Sequence, residues 1–231
     1  MILYADPFAS RVEWQFSYVN LSGDDLSALK DHFSACAGPV HAFTLIDPTE
    51  NMLVSSSDVT AGSWQKSPFI TFTPERPDPN GGIAAFTLTN TGQAPQEIAQ
   101  TLTVPSGYQY CFSLYVSSMQ PGSISLVRRG SSIQDAIEVP IGPYWNRLVA
   151  SGRLNDSGNA FTVAAALAPG QQVDVFGFQL EPQISPSGYR PTAQRGGVYP
   201  SAHWAAERFT VAAEAPDLFS TSFNIEAVIP A

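Results

Sequence analysis

The chain has 231 residues, a formal net charge of −9, 44% hydrophobic residues and only 13% charged residues. The acidic balance argues against a nucleic-acid-binding protein, because neutralising phosphates needs clustered Lys and Arg. The apolar content argues against disorder, and 17 Gly with 19 Pro residues favour many short strands over helices.

The first fifty residues predict a strand, a helix and a second strand. Apolar and polar residues alternate over 11–21, which is typical of a half-buried strand. Ser22 and Asp25 have the spacing of a helix capping box. Apolar residues then recur at helical spacing up to Gly38, where a helix stop is expected, and 42–46 is predicted as a short strand.

This unit resembles a motif of siphophage and gene-transfer-agent tail proteins, W-x-[FV]-x-Y-x-N-L-S … FF-x-A-x-x-G … F-x-[FL]-x-D-P. The matching positions are Trp14, Phe16, Tyr18, Asn20, Leu21, Ser22, Phe33, Gly38, Phe43, Asp47 and Pro48. His32 stands where the family commonly has Phe. The resemblance implies that residues 1–50 are a platform that docks to a tail or baseplate ring.

Eight further strands are predicted, with Pro or Gly at nearly every junction, as in an all-β sandwich. Their ranges are 67–73, 83–89, 97–104, 108–117, 123–128, 145–153, 160–167 and 172–181. Eight strands suit a jelly roll. The predicted fold is therefore mainly β, a jelly-roll β-sandwich with a small N-terminal strand-helix-strand (α+β) platform.

The start and end of this region resemble carbohydrate-binding-module-like jelly rolls of phage fibre, spike and tail proteins. The matching positions are Asn51, Leu53, Ser63 and Trp64 at the start, and Gly177, Gln179, Leu180, Glu181, Tyr189, Pro191 and Thr192 at the end. The resemblance implies a jelly-roll domain over 51–192 and a C-terminal extension over 193–231. Residues 182–202 are predicted as a loop or linker, and 203–231 as a hairpin that either returns to the platform or stands alone.

Catalytic and covalent signals are weak. His32, His41 and His203 belong to no metal or nucleophile motif. A glycan-cleaving enzyme would need two carboxylates at a defined separation, which sequence alone does not give. Cys36 and Cys111 are interpreted as two reduced structural thiols. The chain is therefore predicted not to be an enzyme and to need no cofactor.

A structural calcium site is the one metal hypothesis. Glu75, Asp78 and Asn80 place oxygen ligands in a turn-rich loop, and hard cations prefer carboxylate and carbonyl oxygens. Many sugar-binding jelly rolls hold calcium in a comparable place, by resemblance. The alternative is an ordinary turn, because Asp-Pro and Asn-Gly-Gly are also common turn residues.

A sugar site is predicted from strand alternation. One face of 108–117 is assigned to the core and carries Tyr108, Tyr110, Phe112, Leu114 and Val116. In 173–181, Phe176, Phe178 and Leu180 are placed opposite Val175, Gln179 and Glu181. The predicted carbohydrate-binding residues are therefore Tyr115, Gln179 and Glu181, joined by Trp145 and Arg147. The alternative, that these residues support neighbouring strands or contact another subunit, is favoured.

The predicted function is that of a structural virion protein of a phage tail or baseplate, whose jelly roll either recognises host-surface glycan or decorates the particle. Expected partners are other tail or baseplate proteins and further copies of the chain in a ring. Nucleic acid and a membrane span are not expected. Residues 1–7 lack the basic start and long apolar run of a signal peptide, so synthesis in the host cytoplasm is expected. The alternative function is a stand-alone carbohydrate-binding module or lectin.

Overall fold

The computed structural model of the chain describes residues 10–229. The chain forms two compact units. Unit 1 combines the chain up to Leu45 with the chain from Val198 onward, and unit 2 is continuous from Ile46 to Gly197. The sequence placed the first boundary at residue 50 and the second at 192. Residues 1–7, on which the expectation about a signal peptide rests, lie outside the described residues.

Unit 1 begins with the strand and helix that the sequence predicts. Strand β1 spans Ser10–Leu21, helix α1 spans Gly23–Ala35 and strand β2 spans Phe43–Ile46. The side chain of Ser22 accepts a hydrogen bond from the backbone N–H of Asp25, and the Asp25 carboxylate accepts one from the Ser22 N–H, so the capping box is confirmed. Gly38 has a φ of +61°, which suits its position just after the helix.

The C-terminal part of unit 1 adds three strands. Strand β13 spans Val198–Trp204, β14 spans Ala212–Ala215 and β15 spans Leu218–Ile229. The sheet order is β1-β15-β13-β2, and β14 forms a hairpin with β15. Strands β14 and β15 lie within the segment 203–231 that was predicted as a hairpin, and β15 pairs with the N-terminal strand β1. Strand β13 is a correction, because the sequence assigned most of it to a linker; Pro200 within it hid its strand character.

One face of the unit 1 sheet is covered by aromatic rings. Trp204 is 3% exposed and packs against Phe33, Phe209 and Phe223, with ring centroids 5.2, 5.8 and 4.5 Å away. Its indole N–H donates a 3.2 Å hydrogen bond to Nδ1 of His32. His32 therefore packs within this cluster and has a structural role.

Unit 2 is built from ten strands in two sheets. They are β3 Gln65–Lys66, β4 Ile70–Arg76, β5 Ala85–Asn90, β6 Gln96–Leu102, β7 Tyr110–Ser117, β8 Gly122–Arg129, β9 Gln134–Ile141, β10 Asn146–Gly152, β11 Phe161–Leu167 and β12 Gln172–Glu181. Sheet I has the order β10-β7-β12-β5-β4, and sheet II has the order β3-β6-β11-β8-β9.

The strand order defines a jelly roll. Counting β5 as the first of eight consecutive strands and β12 as the eighth, the order in sheet I is 6-3-8-1. The order in sheet II is 2-7-4-5. This alternation between two antiparallel sheets is the double Greek key of a jelly-roll β-sandwich. The predicted fold class is confirmed.

All eight strands predicted between 67 and 181 are present, and β9 is an additional one that the sequence analysis missed. Strand β9 lies at the edge of sheet II, and most of its side chains are exposed. Its apolar residues do not alternate regularly with polar ones, and Pro140 interrupts the pattern further, as is usual for an edge strand.

The core lies between sheets I and II. The largest side chains buried there belong to the facing sides of β7, β11 and β12, among them Tyr110, Phe112, Phe161 and Phe178. Tyr108, assigned to the core by alternation, is 58% exposed because β7 begins two residues later. Cys111 is buried and unpaired, and its burial raises the pKa of the thiol.

No helix within residues 10–229 is long and apolar enough to cross a membrane.

Candidate functional site

The outer face of sheet I, turned away from the core, brings together four of the five predicted sugar-binding residues. Strand pairing sets Arg147 opposite Tyr115 and Tyr115 opposite Phe176. In the following rows Gln179 pairs with Ser113, and Glu181 pairs with Cys111. The guanidinium carbon of Arg147 lies 5.3 Å from the centre of the Tyr115 ring.

This half of the outer face is covered by the chain's own exit segment, residues 182–192. Ser187 lies between two of the predicted residues: its carbonyl oxygen accepts a hydrogen bond from Arg147, and its hydroxyl donates one of 2.5 Å to Glu181. The Ser187 N–H donates a second hydrogen bond of 3.1 Å to Glu181. The ring of Tyr189 packs edge-on against Phe176 at 5.1 Å.

Gln179 is held in the same way. Its Oε1 accepts a 2.7 Å hydrogen bond from the N–H of Arg190, and its Nε2 donates one of 3.2 Å to the carbonyl of Gly188. The exposed fraction is 0% for Gln179 and 1% for Glu181, so neither reaches solvent. This corrects the prediction that they contact sugar, because their hydrogen-bonding groups are occupied by the exit segment, and it matches the supporting role given as the alternative.

A β-bulge changes the predicted faces of β12. The pairing with β7 shifts register between Phe176 and Gln179. Gly177 has a φ of +67°, a conformation that residues with a Cβ rarely adopt. As a result Val175 faces the core and Phe176 lies outside with Gln179 and Glu181, whereas simple alternation grouped Phe176 with Phe178 and Leu180.

The motif residues at the two ends of the jelly roll form a second set of contacts. Residues 51–56, where the chain enters the domain, bind to β12 and to residues 189–193, where the chain leaves it. We call these contacts the clasp. Asn51 is 1% exposed. Its Nδ2 donates to the carbonyls of Phe178 and Arg190 at 2.9 and 3.1 Å. Its Oδ1 accepts from the N–H groups of Leu53 and Leu180 at 3.1 and 3.0 Å. Both donors and both lone pairs of the amide are used.

Three hydroxyl groups complete the clasp. Thr192 Oγ1 donates a 2.6 Å hydrogen bond to the carbonyl of Leu53 and accepts one of 3.0 Å from the N–H of Ser56. The Ser56 hydroxyl lies 3.2 Å from the Tyr189 hydroxyl, and burial raises the pKa of that phenol. The residues that carry the resemblance to phage jelly rolls therefore hold the two ends of the domain together.

The other half of the outer face of sheet I is open. It contains a cleft of about 130 Å³. The cleft is lined by residues of β4, β5 and β12 and by the loop that follows β7. We call this the open cleft. Its lining residues are Arg76, Thr87, Ser118, Met119, Gln120, Gln172, Val173 and Asp174.

Asp174 is the central charged group of the open cleft. Its Oδ1 accepts a 2.5 Å hydrogen bond from the Thr87 hydroxyl, and Arg76 Nε lies 3.8 Å from the same oxygen. The side chain of Arg76 is 46% exposed and that of Asp174 is 25% exposed, so both are accessible. Asp174 is not among the predicted sugar-binding residues. Alternation of Gln172, Asp174 and Phe176 before Gly177 was the signal that could have placed it on the outer face.

Trp145, the fifth predicted residue, lies at the same end of the sandwich. It directly precedes Asn146, which pairs with Val116. The loop that carries it is joined to the rim of the open cleft, since the N–H of Ser118 donates a 2.7 Å hydrogen bond to the carbonyl of Gly142. Met119 on that rim is 86% exposed and Tyr144 is 81% exposed.

The loop predicted to hold calcium is organised by Asp78. Its carboxylate accepts hydrogen bonds from the N–H groups of Asn80, Gly82 and Ala84 at 2.8, 3.1 and 3.0 Å. These hydrogen bonds, that from Ala84 first, lower the pKa of Asp78. Within residues 10–229 no group of three or more His, Cys, Asp or Glu side chains is placed to hold a metal ion. Calcium binding by Glu75, Asp78 and Asn80 stays a prediction.

Asp156 has a similar structural role at three other loops. It accepts hydrogen bonds from the hydroxyls of Ser106 and Ser132 and from the N–H groups of Ser132, Ile133 and Gly158, at 2.7 to 3.1 Å. These hydrogen bonds, that from the Ser106 hydroxyl first, hold the pKa of Asp156 well below its usual range. The carboxylate therefore links the loops before β7, before β9 and before β11.

Comparison with known proteins adds structural relatives. No protein-family description and no curated protein matches the sequence. Among solved structures, the chain is similar to the CBM22-1 xylan-binding domain of Paenibacillus barcinonensis Xyn10C, at 12% identity and a TM-score of 0.47, over 63% of this chain and 99% of that one. It is similar to the carbohydrate-binding module TmCBM61, solved with β-1,4-galactotriose, at 16% identity and a TM-score of 0.44, over 58% and 99%.

A phage protein is also among these similar structures. The enzymatically active domain of bacteriophage CBA120 tailspike protein 4 matches at 10% identity and a TM-score of 0.46. The match covers 58% of this chain and 22% of the tailspike chain.

Proposed function

We propose that the chain is a non-catalytic attachment protein of a phage-tail-type particle, whose jelly roll binds a host-surface carbohydrate in the open cleft. The observation that carries the proposal is the cleft itself. It is the accessible part of an outer sheet face whose other half is covered by the exit segment.

The chemistry of the open cleft suits a sugar. Arg76, Gln172 and Asp174 supply guanidinium, amide and carboxylate groups. Each of these groups is planar and can form two hydrogen bonds side by side. Two neighbouring hydroxyls of a pyranose ring can therefore bind to the same side chain. Thr87 holds one oxygen of Asp174, so the carboxylate is oriented before a ligand arrives.

The rim supplies apolar contacts. Met119 lines the cleft and is exposed. The loop that the Ser118–Gly142 hydrogen bond joins to this rim carries the exposed Tyr144 and, next to it in the chain, Trp145. An aromatic ring with a polar surrounding is a typical contact for the apolar face of a sugar. Trp145 is therefore the predicted residue that we retain as a ligand contact.

The charge of the protein indicates the class of glycan. The chain carries a net charge of −9, and the open cleft contains one carboxylate beside one guanidinium. A negative protein repels polyanions over a distance of about 10 Å at 0.1 M salt. We therefore propose a neutral glycan as the ligand.

The acidic residues of unit 2 support a binding role over a catalytic one. Several have local partners: Glu97 pairs with Arg129 and Asp135 with Arg128, both in sheet II. Glu181 is bound by Ser187, and Asp78 by backbone N–H groups. A glycosidase instead presents two carboxyl groups to one bond, about 5–10 Å apart.

Assembly in a particle is supported by the sequence resemblance of the N-terminal unit and of the clasp to tail and fibre proteins. We propose other tail or baseplate proteins and further copies of the chain, in a ring, as its partners. A stand-alone carbohydrate-binding protein is the second candidate. The clasp favours this candidate, because the hydrogen bonds that join the two ends of unit 2 are all made within unit 2 itself.

The test is a glycan array with the full chain, followed by calorimetry on the glycans that bind. We expect binding to a neutral glycan, and at least about tenfold weaker binding for Arg76→Ala and Asp174→Asn, since each removes a charge-assisted hydrogen bond. Glu138→Gln, on the opposite sheet, is the matched control and is expected to leave affinity unchanged.

Three results would overturn the proposal in different ways. Absence of binding across the array would remove the carbohydrate role. Binding that is unaffected by Arg76→Ala and Asp174→Asn would place the ligand elsewhere. If the chain binds a glycan tightly but assembles neither with its own copies nor with tail proteins, the result would favour a stand-alone carbohydrate-binding protein.

A further inference from the structure

The open cleft is closed at the end that faces the exit segment. On β12, the next residue on the outer face after Asp174 is Phe176, which is 8% exposed and has the ring of Tyr189 packed on it at 5.1 Å. On β5, alternation puts Ala85 on the same face as Thr87, and Ala85 is 0% exposed. The accessible floor of the cleft therefore ends at Asp174 and Thr87.

The opposite end of the cleft is open. Gln172 pairs with Thr89, and Thr89 pairs with Thr71 on the edge strand β4. Alternation puts these three residues, which we call the polar row, on the same outer face as Asp174 and Thr87. Gln172 and Thr71 are exposed and Thr89 is partly exposed. The polar row therefore extends the floor of the cleft away from the exit segment.

The cleft is small, and its charge lies at the closed end. Its volume of about 130 Å³ is below the range of about 300–1,000 Å³ that is usual for pockets enclosing drug-sized ligands. Among the described lining residues, the two charged ones are Arg76, which pairs with Ala85, and Asp174. The polar row supplies only amide and hydroxyl groups. The charge-assisted hydrogen bonds, which are the stronger ones, are therefore within reach of one sugar unit only.

We propose that the open cleft recognises the terminal sugar of a neutral glycan chain and not an internal stretch of it. The terminal unit lies at Arg76 and Asp174, and the rest of the chain leaves over the polar row. This deepens the proposed function, on which it rests, by naming the part of the glycan that the site binds. An internal stretch needs a groove that is open at both ends, and the covered residues Phe176 and Ala85 close one of them.

A chain end also differs chemically from an internal unit. The hydroxyl that links an internal unit to its neighbour is free in a terminal unit. At the closed end of the cleft this hydroxyl can donate to Asp174 or accept from Arg76. A further sugar attached at that position would collide with the covering that Tyr189 provides over Phe176.

The first test counts chain ends. Amylose, β-1,4-galactan and β-1,4-xylan are titrated into the full chain by calorimetry before and after partial hydrolysis, at equal mass of sugar. Any other neutral glycan that binds on the array is treated in the same way. Hydrolysis creates new ends without changing the composition, so we expect the number of binding sites per mass of sugar to rise in proportion to the ends. A number of sites that hydrolysis leaves unchanged would overturn the proposal.

The second test varies chain length, with oligomers of the same sugars from one to six units. We expect the affinity to level off at the second unit and to change by less than about threefold beyond it. A groove for an internal stretch would instead gain about fivefold with each further unit that adds a hydrogen bond. A gain that continues to six units would overturn end recognition and leave the carbohydrate role intact. Absence of binding to every glycan would overturn both.

Thr89→Tyr tests the path of the chain. A large ring in the polar row is expected to weaken binding of oligomers of two or more units by at least about fivefold, and to leave binding of the single sugar unchanged. Thr101→Tyr, at an exposed threonine on β6 of sheet II, is the matched control and is expected to change neither. An equal effect of Thr89→Tyr on all lengths, or no effect on any, would overturn the path over the polar row.

Discussion

The side-chain oxygen of Asn51 accepts a 3.0 Å hydrogen bond from the N–H of Leu180, 129 residues further along the chain. With the other contacts of the clasp, it closes the jelly roll at the point where the chain enters and leaves unit 2. The motif residues at the two ends of the jelly roll are therefore explained by stability, and a ligand site is to be sought elsewhere on the same sheet.

Replacing Asn51 by Ala should destabilise unit 2 strongly. The substitution leaves the buried carbonyl of Phe178 and the buried N–H groups of Leu53 and Leu180 without this partner. Each unsatisfied buried group costs about 1–3 kcal/mol. We expect a loss of at least about 2 kcal/mol in the free energy of unfolding, measured by urea denaturation. The exposed Asn159→Ala should change it by no more than about 0.5 kcal/mol. Similar small losses for both variants would show that the clasp does not hold the domain.

Gly177 and Gly170 form a matched pair for testing the bulge. Both have positive φ, +67° and +70°. A Cβ at Gly177 would lie 3.2 Å from ring atoms of Tyr115 and Tyr189, whereas at Gly170 it would meet open space. The strained φ alone costs about 1–2 kcal/mol, so Gly170→Ala measures that term and Gly177→Ala should be clearly less stable. Equal losses would mean that the rings of Tyr115 and Tyr189 do not pack closely against Gly177.

Asp156 should give the protein an acid-dependent part of its stability. Its folded-state pKa is lowered, so it stabilises the fold above its unfolded pKa of about 3.9, and this contribution is lost as the pH falls through the folded pKa. We expect Asp156→Asn to lower the melting temperature most at neutral pH. The difference from wild type should shrink below about pH 4. A difference that is constant with pH would rule out this role.

The calcium prediction is tested at Asp78. Because three backbone N–H groups already bind its carboxylate, we expect Asp78→Ala to lower the melting temperature by the same amount with calcium and with chelator. A calcium-dependent rise in the melting temperature of the wild type that Asp78→Ala abolishes would instead support the metal site.

The sequence was sufficient for the architecture because hydrophobic periodicity and turn residues are local signals. Helix α1 with its Ser22 cap and eight of the strands in unit 2 followed from them. Strands β9 and β13 were missed, as was the two-residue β3. Strands β9 and β13 have weakly alternating side chains and contain Pro140 and Pro200. Long-range pairing, not local pattern, makes them strands.

The candidate site was harder to predict for two physical reasons. The bulge at Gly177 reverses the faces of β12, and a single glycine in a strand does not reveal its φ. The exit segment then folds back over Gln179 and Glu181, a contact that no local pattern indicates. Arg76 and Gln172 were missed because they meet only when three strands are placed side by side.

The most direct measurement of the central claim is a ¹⁵N–¹H NMR titration of the chain with the glycan that binds best on the array. The account predicts that the perturbed amides cluster around the open cleft, at Thr87, Gln120, Gln172 and Asp174. Perturbations centred on Gln179, Glu181 and the exit segment, or no saturable perturbation with any glycan, would contradict it.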